Sequence, residues 1–309
     1  MTNIKMKAVV CSKYGPPDVL KLTEIKKPLP KDDEVLIRIK ATAVNSGDVR
    51  VRGLAVSGIM RFVMRLVLGF SKPRKPILGT VLSGVVEEIG NKVKLYKPGD
   101  EVYAMTGFKF GTYSEYISLK ENGTIALKPV KASFEESAAI IFGGSTAIHF
   151  LNKAKIGSKP NKEVLIYGAT GSVGTSAIQI SKYYNANVSA VCSEGGIQLA
   201  RSLGADNVVD YTKDDFTKTE KKYDIIFDAV GKIKKKECLK CLFKEGIFIT
   251  VGGLEVASET KDQLLFLKDL YDNNHLKAVI DKTYNIDDIV EAHRYVDTGR
   301  KKGNVVVKV

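Results

Sequence analysis

The sequence predicts a mixed α/β chain of two units, one β-rich and one a parallel sheet covered by helices on both faces. Three observations carry this. The chain has 309 residues, more than one average domain, and enough for two cores. Up to about Pro129 it reads as short strands punctuated by turn residues. Beyond that point strands alternate with helical stretches, the grammar of a doubly wound sheet.

In the β-rich part, strands are expected at Met6 to Val10, Val35 to Val44, Gly84 to Ile89, Val102 to Ala104 and Tyr113 to Ser118. Tyr14-Gly-Pro-Pro17 and Lys97-Pro-Gly-Asp100 are turns, because proline presets one dihedral and glycine accepts positive φ. Ile59 to Phe70 is apolar but carries Arg61 and Arg65; it reads as a helical lid over an apolar pocket, with a membrane-surface segment as the alternative. A long helix follows from Ser133 to Ala154. Next come a strand at Glu163 to Tyr167, a helix from Val173 to Tyr184, a strand at Asn187 to Cys192, and a helix near Ile197 to Leu203. Further strands are expected at Val208 to Val209, Ile225 to Ala229 and Ile247 to Val251, with a helix from Thr260 to Tyr271. A single trailing strand, Asn304 to Val309, seldom stands alone, so it should return to the first unit's sheet. The units expected are 1–128 with 275–309, and 129–274.

Composition narrows the function classes. With 44% hydrophobic and 27% charged residues the chain lies in the ordinary globular range, which excludes a disordered protein. A net charge of +13 attracts polyanions, phosphate-bearing cofactors or acidic surfaces without choosing among them. The densest basic run, Lys232 to Lys236, reads as a solvated face, and no aromatic-interleaved basic motif points to nucleic acid. No apolar stretch reaches the ~20 residues of a spanning helix. Cys11, Cys192, Cys238 and Cys241 make no disulfide framework, and no secretory leader precedes the first strand, so a reducing cytoplasm is expected. Cys238-x-x-Cys241 lacks the second pair that a structural zinc site needs.

The most informative segment is Val164-Leu-Ile-Tyr-Gly168-Ala-Thr-Gly171-Ser-Val-Gly174: a buried strand, a glycine turn, and the start of an amphipathic helix. Glycines let backbone amides approach a pyrophosphate, and the helix amino terminus supplies about half a positive charge. The spacing is G-x-x-G-x-x-G, so the strand before and the helix after carry the assignment as a dinucleotide site more than the pattern does. At the end of the next strand, an NAD enzyme carries a carboxylate for the ribose 2′-hydroxyl. Here Cys192-Ser193 stands there, which favours NADPH, with NADH left possible by Glu194.

By their number, order and spacing, further segments resemble the zinc-independent quinone oxidoreductase-like branch of the medium-chain dehydrogenase/reductase superfamily. They include Ala43-Val-Asn45 with Asp48, Ser83-Gly84-Val85-Val86, Lys97 to Val102, Gly111 to Tyr116, Arg201 to Asp206, Asp228-Ala-Val-Gly231, Val251-Gly-Gly253 and Glu291-Ala-His-Arg294. The resemblance implies a GroES-like β-rich catalytic domain built from both chain ends, a Rossmann domain inserted into it, a substrate cleft between the two, and a homodimer formed through the edge of the Rossmann sheet. It implies that Gly171, Ser172, Val173 and Gly174 hold the pyrophosphate, Ser193 and Tyr211 the adenosine-phosphate end, and Val230 and Gly231 the adenosine side. Thr146, Gly252 and Asn304 then belong to the nicotinamide half.

Zinc is the informative departure from the wider superfamily. Asn45 stands where zinc-dependent relatives have a cysteine, and Gly79-Thr80-Val81 where they have Gly-His-Glu. Without Lewis-acid polarisation the chemistry shifts to acceptors that take hydride readily: quinones, enones and other activated alkenes. Asn45 is the expected donor to the developing oxyanion, with a turn cap as its structural alternative. Asp48 is the second candidate, more as the residue that orders this loop. Arg50 replaces a family tyrosine, which leaves the proton donor open, with water available. His149 and His293 are expected to be structural and His275 exposed. A cofactor-binding scaffold with little turnover is the competing reading of the whole chain.

Overall fold

The computed structural model describes residues 4–54, 58–253 and 255–309; the side chains of 58–61 and 63 lie outside that description. The chain forms two compact units, Met1–Ile141 with Ile280–Val309, and Phe142–Val279. The first boundary falls inside a helix, not ahead of it at 129, and the second falls just before a strand.

The first unit opens with a two-stranded antiparallel ribbon, β1 (Lys5–Cys11) and β2 (Leu20–Lys26). Its main sheet is centred on β3 (Glu34–Val44), followed by helices α1 (Ser46–Gly53) and α2 (Gly58–Leu68). The strands β4 (Val81–Ile89), β5 (Glu101–Met105), β6 (Tyr116–Lys120) and β7 (Ile125–Leu127) follow, before the 20-residue helix α3 (Phe134–Lys153). From the carboxyl end come β13 (Ile280–Asn285), α8 (Ile289–Asp297) and β14 (Asn304–Lys308). The sheet runs β13-β14-β3-β4-β5-β7, with β6 also on β3. The trailing strand does return to the first sheet: β14 lies antiparallel to β3, with Val305 opposite Val44.

Central position explains the composition of β3. Val35, Ile37 and Ile39 pack with Leu82, Val86, Val102 and Ala104 in one core. Val44 joins Val305, Val307, Ile289 and Ala292 in another. The strand expected at Tyr113 to Ser118 begins only at Tyr116. Gly111 takes positive φ, and Tyr113 and Ser114 are held by β1 through Val9 N to Tyr113 O (2.8 Å) and an Ala8–Ser114 bridge. The Ile59 to Phe70 segment is helical as far as Leu68; Met64 and Leu68 pack on a core while Phe62, Leu66 and Val67 are exposed. The side chains of 59–61 and 63, on which the lid reading also falls, lie outside the described residues.

The second unit holds β8 (Glu163–Tyr167), α4 (Ser172–Tyr183), β9 (Asn187–Cys192), α5 (Ile197–Ser202) and β10 (Asn207–Asp210). It continues with β11 (Tyr223–Asp228), the one-turn helix α6 (Lys235–Cys238), β12 (Leu242–Thr250) and α7 (Lys261–Asp272). All five strands are parallel, in the order β10-β9-β8-β11-β12. Val164, Leu165 and Ile166 of β8 are fully buried, as a strand covered on both faces requires. The order reverses at β8 and β11, and that switch point is where a doubly wound sheet opens a crevice at its carboxyl edge. Among the described residues, no helix is long and apolar enough to cross a membrane.

Candidate active site

The switch point is built from glycine contacts that no side chain could replace. Gly168, directly after β8, has φ +75, and a Cβ there would meet the Val230 side chain at 2.4 Å. Val230 and Gly231 follow β11; a Cβ on Gly231 would lie 2.7 Å from Gly252 Cα, beyond β12. Three of the predicted positions, Val230, Gly231 and Gly252, thus meet Gly168 of the glycine turn where three strands end. Gly174 lies within the first turn of α4, and its Cβ would come within 2.3 Å of Gly168 O and 2.7 Å of Ala169 backbone atoms. This is a close strand–helix crossing that only a glycine permits.

The helix begins at Gly171, whose extended backbone carries no side-chain cap. Gly171 N donates to Gly168 O at 3.1 Å, closing the turn. An amino terminus that no side chain caps presents its amides and its partial positive charge to an anion, and a Cβ on Gly171 would meet only Gly168 O, at 3.6 Å. The donor set therefore fits a pyrophosphate. Ser172 and Val173 share this first turn. Helix α3 reaches the same place: a Cβ on Gly143 would meet Ser172 O at 2.3 Å. Thr146 lies one turn on from Gly143, buried, with its hydroxyl donating to Phe142 O at 2.8 Å.

Asp228 is the residue whose role was not legible in the sequence. Fully buried at the end of β11, it accepts at Oδ1 from the amides of Val230, Gly231 and Lys232 (3.3, 2.8 and 3.2 Å). At Oδ2 it accepts from Ile233 N and the Thr250 hydroxyl (3.2 and 2.9 Å). Thr250 Oγ1 in turn accepts from Gly252 N at 2.9 Å. One carboxylate thus shapes the turns after both β11 and β12. The signal available was an aspartate three residues before a glycine at a strand end, the pattern of an Asx turn.

Ser193 and Tyr211 follow neighbouring strands, and Tyr211 N donates to Cys192 O at 3.0 Å. A Cβ on Gly196 would meet Thr170 at 2.7 Å, so the loop after β9 abuts the glycine turn. A cavity of about 410 Å³ beside it is lined by residues including Tyr167, Tyr211, Phe216 and Cys238. Cys238 and Cys241 are buried free thiols.

Asn45, Asp48 and Asn304 stand in the first unit. Because Val305 lies opposite Val44 in the antiparallel ladder, Asn304 and Asn45 follow that pair at the same end of the sheet. Asn45 caps α1: its Oδ1 accepts from Gly47 N and Asp48 N (2.8 and 3.1 Å), and Asp48 Oδ2 accepts from Asn45 N (3.0 Å). Its Nδ2 donates to Thr80 Oγ1 at 2.7 Å. The two positions that carry zinc ligands in other branches thus face each other as an amide and a hydroxyl, a donor set that does not suit zinc. Asp48 is fully buried, and burial pushes its carboxyl up to about 7 against the hydrogen bonds it accepts. Tyr113, whose phenol is raised well above its ordinary value by burial, couples to Asp48, although Asp48 Oδ1 and the Tyr113 hydroxyl complete no hydrogen bond of normal geometry.

The three histidines differ in their surroundings. His293 is fully buried, edge-to-face with Tyr113 at 5.6 Å, and accepts at Nδ1 from Arg52 at 3.3 Å. Burial, with Arg52 beside it, holds it down at about 3. Arg52 also pairs with Asp297 at 2.7 Å, joining α1 to α8. His149 bonds to Ser258 and Glu255 (both 3.0 Å), and His275 is exposed.

Comparison with known proteins agrees with both units. Residues 31–129 match the alcohol dehydrogenase GroES-like domain family, and 172–289 the family described as zinc-binding dehydrogenase. A 2-methylene-furan-3-one reductase of Solanum lycopersicum is 34% identical over 98% of this chain and 79% of its own length. A chloroplastic NADPH-dependent alkenal/one oxidoreductase of Arabidopsis thaliana is 33% identical over the same shares. The quinone oxidoreductase from Coxiella burnetii superposes with a TM-score of 0.88 at 27% identity, over 99% of this chain and all of that one. The chain belongs to the quinone oxidoreductase-like branch of the medium-chain dehydrogenase/reductase superfamily.

Proposed function

We propose that the protein uses NADPH to reduce quinones, enones or other activated alkenes, without zinc. The observation that carries the reading is the uncapped amino terminus of α4 at Gly171, set by Gly174 against the end of β8 at the switch point of a parallel sheet. Relatives named 2-methylene-furan-3-one reductase and NADPH-dependent alkenal/one oxidoreductase support the substrate class.

The cofactor supplies a hydride from its nicotinamide ring when bound. The first turn of α4, from Gly171 to Gly174, holds the pyrophosphate through backbone amides, and Asp228 keeps the Val230–Gly231 and Gly252 turns in place beside it. Thr146, Gly252 and Asn304 orient the nicotinamide half. Asn45 stabilises the oxyanion that develops on the acceptor. Its Oδ1 is fixed by two backbone amides, which settles the orientation of the side-chain amide; one Nδ2 hydrogen goes to Thr80 and the second is left for the substrate. Asp48 positions Asn45 through its backbone amide, and Arg50, which stands where the family has a tyrosine, is exposed on α1, which leaves water as the available proton source.

The test is NADPH consumption with a panel of quinones and enones, repeated after exhaustive chelation. Turnover that survives chelation is expected. Tight NADPH binding without turnover on any acceptor would favour the cofactor-binding scaffold, and activity lost together with stoichiometric zinc would refute metal independence.

A further inference from the structure

The glycine turn accounts for a pyrophosphate but not for the choice between the two coenzymes. That choice is made at the ribose 2′-position, at the end of the second strand of a doubly wound sheet, here β9. The sequence around Ser193 offers Glu194 and no cation. The topology supplies one from twenty residues on: β10 lies parallel to β9 with Asp210 opposite Cys192, so the residues after both strands emerge side by side. There Lys213 Nζ lies 2.8 Å from Glu194 Oε1.

We propose that Lys213 binds the 2′-phosphate of NADPH and that Glu194 is its counter-ion while the phosphate is absent, so that this pair sets coenzyme preference; the proposal rests on the reading of the glycine turn as a dinucleotide site. Three observations support it. Lys213 is held in place from its backbone: its amide donates to Asp210 O at 3.0 Å, and Asp210 Oδ1 binds Thr212 N and Oγ1 (3.0 and 2.8 Å). These bonds hold the Asp210 carboxyl below its usual range, so it stays charged and engaged. Second, the loop that carries Lys213 also carries Asp210, Asp214 and Asp215, with Glu194 paired to the lysine; the Lys213 ammonium offsets this local negative charge, as Lys218 and Lys240 do at Asp215. Third, the side chains of Lys213 and Glu194 are 61% and 71% exposed. Such an ion pair adds little to stability and its partner is exchangeable. A phosphate near two negative charges competes well for the ammonium. Bound NADH would leave Glu194 free to accept from the ribose hydroxyl. Lys213 and Tyr211 also line the same cavity, which puts the ammonium beside the predicted adenosine-phosphate residue.

The experiment measures dissociation constants of NADPH and NADH by fluorescence titration for the parent, Lys213→Met and Glu194→Gln. Both side chains are exposed, so folding should be retained. Lys213→Met should weaken NADPH by about tenfold, equivalent to ~1.4 kcal/mol, and leave NADH within about twofold. Glu194→Gln should weaken NADH and leave NADPH unchanged or tighter. Added salt should weaken NADPH binding to the parent more steeply than to Lys213→Met. An unchanged NADPH-to-NADH ratio in Lys213→Met, whether both affinities hold or both fall together, would overturn the proposal. A parent that binds neither coenzyme would show that the dinucleotide reading itself is wrong.

Discussion

Two strand-to-helix junctions of the molecule differ in one respect. At the first, β3 runs into α1 through Asn45, and a reciprocal capping box closes the helix end: Asn45 takes the amides of Gly47 and Asp48 while Asp48 takes that of Asn45. At the second, β8 runs into α4 through Gly171, and no side chain caps the helix. A helix end left uncapped by its own chain costs stability that a ligand can return, so the open junction is the one suited to an anion. The closed junction does something else. It spends a side-chain oxygen to hold an amide rigid, and what it can offer a substrate is limited to one N–H. Under the proposed function, the same local geometry gives a backbone site in one unit and a side-chain site in the other.

The sharpest way to break this comparison is at the open junction. Gly174→Val places a branched side chain where a Cβ alone would sit 2.3 Å from Gly168 O. Backbone cannot yield as a flexible side chain would, and overpacking of this kind costs ~1–3 kcal/mol or more. Where the variant still melts cooperatively, its NADPH affinity should fall at least tenfold, about 1.4 kcal/mol. Gly171→Ala is the control, because its Cβ would meet only one atom, at 3.6 Å, and its melting should stay near the parent's. A folded Gly174→Val protein that binds NADPH normally would mean that the open helix end is not the cofactor site.

Asp228 tests whether the open junction depends on its neighbours. Asp228→Ala strands the amides of Val230, Gly231, Lys232 and Ile233 along with the Thr250 hydroxyl. A buried donor left without its acceptor costs ~1–3 kcal/mol, so thermal unfolding should shift by an amount equivalent to about 2 kcal/mol, and NADPH should bind more weakly in the folded protein. Unchanged melting would show that these amides find other acceptors.

The difference between the junctions also explains what could be read from the sequence. The parallel sheet was legible because each of its strands is a short apolar run between a turn and a helix, and Glu163–Tyr167 and Asn187–Cys192 need no long-range information to be recognised. The glycine turn was legible because glycine is informative wherever backbones cross. Asn45 was legible as a residue but not as a role, since capping and the proposed oxyanion contact use the same amide, and its Thr80 partner lies 35 residues away in sequence. β2 and β13 were missed because they are edge strands whose exposure erases the alternation: β2 shows almost none, with five of its residues exposed; β7 was missed because it is only three residues long. Lys213 was invisible for a related reason. Parallel pairing of β9 with β10 brings it to Glu194, and local sequence carries no trace of that pairing.

At the closed junction, Asn45 can be split into its two duties. Asn45→Ser retains a good cap, since serine and asparagine cap helices about equally, whereas Asn45→Ala loses ~1 kcal/mol of capping. Serine cannot supply the amide hydrogens. Asn45→Ser should therefore melt close to the parent while its kcat falls about tenfold, with NADPH affinity unchanged, as expected for a donor to the transition state alone. Parent-like turnover in Asn45→Ser would reduce Asn45 to a cap.

The smallest expected effect concerns the carboxyl beneath that cap. Burial raises Asp48 from 3.8 to about 7, so the folded state holds this proton more tightly than the unfolded chain does. Its contribution to stability is complete below the unfolded value and is lost as pH rises through about 7. His293 acts in the opposite direction: lowered from 6.5 to about 3, it contributes fully above 6.5, and that contribution is lost as pH falls toward 3. Over the acid range where both titrate, the two slopes oppose each other in the parent, and a pH profile of the parent alone would hide both. The measurement is therefore a difference. Asp48→Asn keeps an oxygen for Asn45 N and removes the titration, so its stability relative to the parent should rise steadily between pH 4 and pH 7, read from urea midpoints at each pH. A relative stability that does not change with pH would mean that Asp48 is ionised throughout, and that the capping box holds a charge instead of a proton.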